Sequence, residues 1–223
     1  ELAQHFNKRD YNYVITKGNE ILKHDSSNIE INSLVGRSLQ EKGKHTESLK
    51  YLKKALLTDN PKSYSKAWAL NSMACSNFAL GNYDIAKECL NESIKMHATK
   101  NSFDEAQYLE NLFGYSFYYD NWIKYENENF RYYFQDTIGM KEFIARREPV
   151  YDSVCRFFDV KMEYKITYIV WSSREEEKRI VNCASGFAKP KLNVIHSQKN
   201  QTLGHEMTHI ISHYIYPEIV KSG

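Results

Sequence analysis

The sequence predicts a mainly α-helical chain in two parts: an all-helical repeat solenoid, then a small α+β domain. Three observations lead there. Gly and Pro are scarce, 9 and 4 among 223 residues, so long uninterrupted helices are favoured. The first hundred residues repeat themselves at a spacing that suits pairs of helices. From about Asn127 the pattern changes to short aromatic and β-branched runs that alternate with helical periodicity.

The repeats set the first part. "GNYDIAKECLNESI" starts at Gly81, "GKHTESLKYLKKAL" at Gly43, and a weaker echo, "RDYNYVITKGNEIL", at Arg9. The starts lie 34 and 38 residues apart, and the extra residues fall near "NPKSYSKAW", where Pro61 marks a boundary. In register, Leu70, Met73 and Ala74 of one helix and Tyr83, Ala86 and Leu90 of the next match Val35, Gly36, Ser48, Leu52 and Ala55. Small residues at Gly36, Ala55, Ala74 and Ala86 let helices approach, and the bulky ones between them fill the stack. A two-helix period of about 34 residues resembles the tetratricopeptide repeat family, over roughly residues 1–100. The resemblance implies a solenoid whose concave face docks a protein partner or substrate, with an atypical first repeat as a cap.

"SFDEAQYLENLFGYSFYYDNWIKYEN" is expected to form one more helix, capped by Ser102 with Glu105 as its capping-box partner. The repeat domain is placed at 1–125 and the second domain at 126–223. There "NFRYYFQD" predicts a strand and "GMKEFIARREPVYDSVCRFFDV" a helix that Pro149 could kink. "YKITYIVWSS" predicts a second strand, "SREEEKRIV" a short helix with a solvated face, and "LNVIH" a third strand. A last helix is expected from near Gln201. The tyrosines of "LFGYSFYYDNW" are expected to pack between helices.

Bulk properties narrow the function classes. A net charge of +2 points to neither nucleic acid nor an anionic membrane surface. No run of about 18 apolar residues exists, so no membrane span is expected. Cys75, Cys89, Cys155 and Cys183 form no CxxC pair, which argues against a cysteine metal site and requires no disulfide framework. Cys75 and Cys89 fall in helical patterns and are expected to be small core residues.

The chemistry lies in "TLGHEMTHIISHYIYPEIVKSG", Thr202 to Gly223. On a helix, residues four apart share a face, so His205 and His209 can reach one Zn2+ ion. Glu206 sits one position round, placed to take a proton from a metal-bound water and pass it to a leaving amine. Met207, Ile210 and Ile211 supply the apolar face that would hold the helix. "SGFAKPKLNVIHSQKNQTLGHEMTH" resembles the zincin metallopeptidases, and among them the minimal gluzincin domains of the peptidase MA group, over about residues 125–223. That resemblance implies a Zn2+ cofactor, a peptide or protein substrate, and a substrate segment that adds to a sheet edge beside the motif helix. Taken with the repeats, it suggests a bacterial envelope or secreted protein.

The third ligand is open. Metzincins place a histidine six residues after the second; here that position is Ile215, and the intervening glycine position is Ser212, so that pattern fails. Gluzincins take a glutamate from a following helix, and the resemblance implies that the domain continues beyond Gly223. Within the chain the alternatives are His213 and Glu218. His196, on the expected edge strand, is expected to be a solvent or rim residue rather than a ligand. Two functions therefore stand side by side. One is a zinc metallopeptidase with a repeat domain that docks its partner. The other is a repeat-type protein-binding module carrying a catalytically inactive zincin-like domain.

Overall fold

A computed structural model describes residues 1–57, 60, 63–183 and 185–217. Two compact units divide the chain, Glu1–Glu110 and Asn111–Gly223.

The first unit is helical throughout: α1 (Leu2–Asn7), α2 (Tyr11–Leu22), α3 (Ile29–Glu41), α4 (His45–Ala55), α5 (Tyr64–Ala79), α6 (Tyr83–Met96) and α7, which runs from Lys100 to Leu112. Asp10, Asn28 and Ser63 start α2, α3 and α5 by accepting a backbone N–H in the first turn of each. The two repeat glycines act differently. Gly43 at φ +73° and Gly81 at φ +76° make the left-handed turn between paired helices, a conformation a side chain resists. Pairing is tight where the register placed small residues. A Cβ on Gly36 would stand 2.7 Å from the Leu52 side chain and 3.1 Å from its backbone nitrogen, so the close approach of α3 and α4 there requires glycine. The Ser48 hydroxyl donates to the Gly36 carbonyl at 2.7 Å, and Val35, Leu52, Ala55, Leu70, Ala74, Ala86 and Leu90 form the buried stack. Pro61 lies outside the described residues. Burial of Cys75 and Cys89 pushes their thiols up, Cys89 to about 11, as core residues should be.

α7 corrects two expectations. It ends at Leu112 rather than running on to residue 127, because Gly114 turns the chain at φ +71°. A short 3-10 turn, Phe117–Tyr119, and a strand follow. The cap also lies one turn earlier than expected. Thr99 Oγ1 accepts the Ser102 N–H at 3.2 Å, and Ser102 Oγ accepts the Thr99 N–H at 3.3 Å. The reciprocal box is Thr99–Ser102, not Ser102–Glu105.

The second unit is a five-stranded sheet with helices α8 (Met140–Phe158), α9 (Arg174–Val181) and α10 (His205–Ile215). Its strands are β1 (Ile123–Glu126), β2 (Phe130–Phe134), β3 (Ile166–Trp171), β4 (Phe187–Lys189) and β5 (Val194–Gln198), in the order β1-β2-β3-β5-β4. β2, β3 and β5 run parallel, while β1 and β4 lie antiparallel on the two edges. The expected strands are β2, β3 and β5; β1 and β4 escaped because an edge strand of three or four residues leaves little periodicity to read. α8 runs through Pro149 without ending.

Both faces of the sheet are covered, and this decides the chemistry. One face carries Phe130, Tyr132, Phe134, Ile166, Tyr168 and Val170 against Phe143 and Tyr151 of α8 and Met207, Ile210 and Ile211 of α10. On the other face Tyr118, Tyr119 and Trp122 pack edge-on and stacked around Trp171. These tyrosines pack on the sheet rather than between helices. As a result every residue of β3 is buried. The solvated face expected for α9 holds except at Glu177, which is fully buried and accepts a hydrogen bond from Gln198 Nε2 at 2.9 Å. Arg147 of α8 is also buried, 1 % exposed. Its guanidinium lies 3.1 Å over the Phe143 ring and donates to the Phe143 carbonyl, and no carboxylate pairs with it among the described residues.

Candidate metal centre

The motif helix α10 is fixed by its apolar side. Met207, Ile210 and Ile211 are fully buried on the sheet. Gly204, at the start, brings the helix close to α8, where an added Cβ would stand 3.1 Å from Val150. Thr208 ties back to the Gly204 carbonyl through both its N–H and its hydroxyl, at 2.8 Å each. This anchoring turns His205, Glu206 and His209 outward.

The outward geometry is specific. His205 Nε2 and His209 Nε2 stand 3.3 Å apart, with the rings nearly perpendicular at 86°. Two nitrogens bound at about 2.0–2.1 Å to a tetrahedral ion stand about 3.3–3.4 Å apart, so the spacing suits two ligands of one zinc. The same distance also suits a hydrogen bond from one ring to the other. Glu206 Oε1 lies 4.0 Å from His205 Nε2, and the Glu206 side chain is 21 % exposed, so its carboxylate borders the pair and stays open to water.

The other candidates sit elsewhere. His213 is turned inward, 5 % exposed, with α10 packed on the Pro190–Leu192 turn. Burial holds its pKa below the usual histidine value, helped by Lys191 of that turn. Its Nδ1 has no hydrogen-bond partner among the described residues. It does not join the pair, because four more residues round the helix carry it from the exposed ridge into the packed side. Glu218 lies outside the described residues. Among the described residues no three His, Cys, Asp or Glu side chains gather where a metal could be held.

The cleft edge is a correction. β5, the "LNVIH" strand, is internal to the sheet, and the edge nearest α10 is β4, antiparallel to β5 with Phe187 opposite His196. The signal in the sequence was "GFAKP": Gly186 at φ +67° and Pro190 bracket just three residues. His196 is correspondingly no rim residue; it is fully buried. On the opposite flank of α10, Thr208 borders an apolar groove of about 470 Å³ lined by Pro149, Val150, Val154 and Phe157 of α8. No helix among the described residues is long and apolar enough to cross a membrane.

No curated protein and no solved structure matches the chain. A family model does: residues 28–98 are similar to the Tetratricopeptide repeat, an architecture that implies a protein-binding module.

Proposed function

We propose that the second unit is a zinc-dependent peptidase of the gluzincin type and that the repeats bring it a protein partner or substrate. The observation that carries this reading is the pair of imidazole nitrogens 3.3 Å apart on the exposed ridge of α10, with the Glu206 carboxylate beside them. In this reading His205 and His209 hold the ion. The ion, when bound, supplies Lewis-acid polarisation and a water that ionises near neutral pH.

The chain's own groups do the rest. Glu206 takes a proton from the attacking water as the water oxygen bonds to the peptide carbonyl carbon. It returns that proton to the amine nitrogen as the carbon–nitrogen bond breaks. β4 is an edge strand, and an extended peptide paired with it would have its scissile bond oriented. Because no third ligand joins the pair among the described residues, the reading needs one from Glu218 or from a longer chain. That same observation favours the second reading, a protein-binding repeat module with a catalytically inactive companion.

Elemental analysis of the purified chain, after dialysis against a weak chelator, separates the two. About one zinc per chain, lost in His205→Ala, supports the metal centre; no retained zinc in the longest natural chain rules it out. In that longest chain Glu206→Gln is expected to keep the metal and lose hydrolysis of a peptide substrate. Undiminished hydrolysis would remove Glu206 from its assigned role.

A further inference from the structure

His196 is a buried imidazole that the metal chemistry does not use. It is fully buried on β5, on the sheet face opposite α8 and α10. Its two nitrogens meet partners of opposite kind. Trp171 Nε1–H, which can only donate, points at Nδ1 at 3.0 Å. The Leu112 backbone carbonyl, which can only accept, faces Nε2 at 2.9 Å. One protonation state satisfies both: neutral, with the proton on Nε2. A second proton, on Nδ1, would point at the indole N–H.

We infer that His196 is an acid-released latch: neutral, it ties Leu112, the central strand β3 and the edge strand β4 together, and protonated it must let Trp171 go. The tie to β4 is a stack, with the Phe187 ring parallel to His196 at 4° and 4.9 Å between centroids. The Leu112 carbonyl would still serve an imidazolium, but among the described residues no carboxylate acts on the ring. Lys189 on β4 carries a like charge that acts on the ring. Tyr118 and Tyr119 stand around Trp171, and the buried Glu177 of α9 acts on Tyr119 rather than on His196. Burial, with Lys189 adding to it, holds the His196 pKa down to about 4. The sign follows from linkage. The unfolded chain binds this proton near the ordinary histidine pKa and the folded chain does not. Stability is therefore whole above about pH 6.5 and falls as pH drops toward about 4. The inference holds whether or not a metal binds at His205 and His209.

Two measurements test it. Nitrogen-15 NMR of the wild-type chain should show one histidine held in the neutral Nε2–H form from pH 7 down to about 4. Through-bond correlation from its own backbone in the wild-type chain identifies it. The second is the unfolding equilibrium constant of wild type, His196→Gln and Trp171→Phe between pH 7 and pH 4. Relative to His196→Gln, the wild-type constant should rise little above about pH 6.5 and then by nearly tenfold per pH unit toward about pH 4, about a hundredfold in all. The depressed His213 is present in every variant and cancels. Trp171→Phe, which frees Nδ1, should move the His196 midpoint upward. A His196 signal that titrates near 6.5, or that carries its proton on Nδ1, overturns the latch even if the glutamine variant fails to fold. So does an unmoved midpoint in Trp171→Phe.

Discussion

The two units bury polarity in different ways. In the repeats the buried polar residues are short and local: Ser48 donates to Gly36 across one hairpin, Ser33 to the Ser65 carbonyl, and Asn71 to the Ser102 carbonyl. None of these carries a charge, and the Ser33–Ser65 and Asn71–Ser102 bonds span 32 and 31 residues, about one repeat. In the sheet unit the buried polar residues include ionisable ones: Arg147, Glu177, His196 and His213. His196 takes its partner, the Leu112 carbonyl, from 84 residues away, and Glu177 takes Gln198 from 21. A repeat solenoid can be built from small neutral residues because every contact is with a neighbour. The sheet unit brings distant segments together and encloses titratable groups, whose charge state then depends on what covers them.

The largest effect expected from this contrast is in the repeats. Leu52 is fully buried between α3 and α4, against Gly36, where no side chain can move in to fill a void. Leu52→Ala should cost about 2–5 kcal/mol, read from urea unfolding followed by helical circular dichroism. A loss well below that would mean the stack relaxes and the register is looser than the close approach at Gly36 implies. Arg147 sharpens the other side of the comparison. It is a buried cation held by a carbonyl and aromatic rings, with burial as the main force lowering its pKa. Replacing a cation that has no carboxylate partner among the described residues removes its desolvation cost and leaves no opposite charge uncompensated. Arg147→Met should therefore leave the unfolding free energy unchanged or raise it by about 1 kcal/mol. A clear loss would show that the guanidinium contacts outweigh its desolvation.

The same contrast explains which expectations held. The repeat helices were legible because a 34-residue spacing, small residues in register and two turn glycines all act within one hairpin. β2, β3, β5, α8, α9 and α10 were legible from their own periodicity. β1 and β4 were not, being short edges, and α7 was drawn too long because its end is set by the turn at Gly114. That glycine packs under the sheet, where a Cβ would stand 2.8 Å from Ile169. His196 was placed at a rim because a lone strand does not reveal that residues 112–122 cover its second face.

Sequence alone determined that His205 and His209 converge, since a spacing of four on any α-helix puts both rings on one side within reach of a single ion. It likewise determined the repeat period and the glycines that turn it. Only the tertiary structure decided that His213 faces inward, that β4 rather than β5 is the edge strand, and that His196 must be neutral. The physical reason is range. Helix spacing and turn conformation are fixed by a residue and its near neighbours, whereas burial, strand order and protonation are fixed by groups that folding brings from elsewhere in the chain.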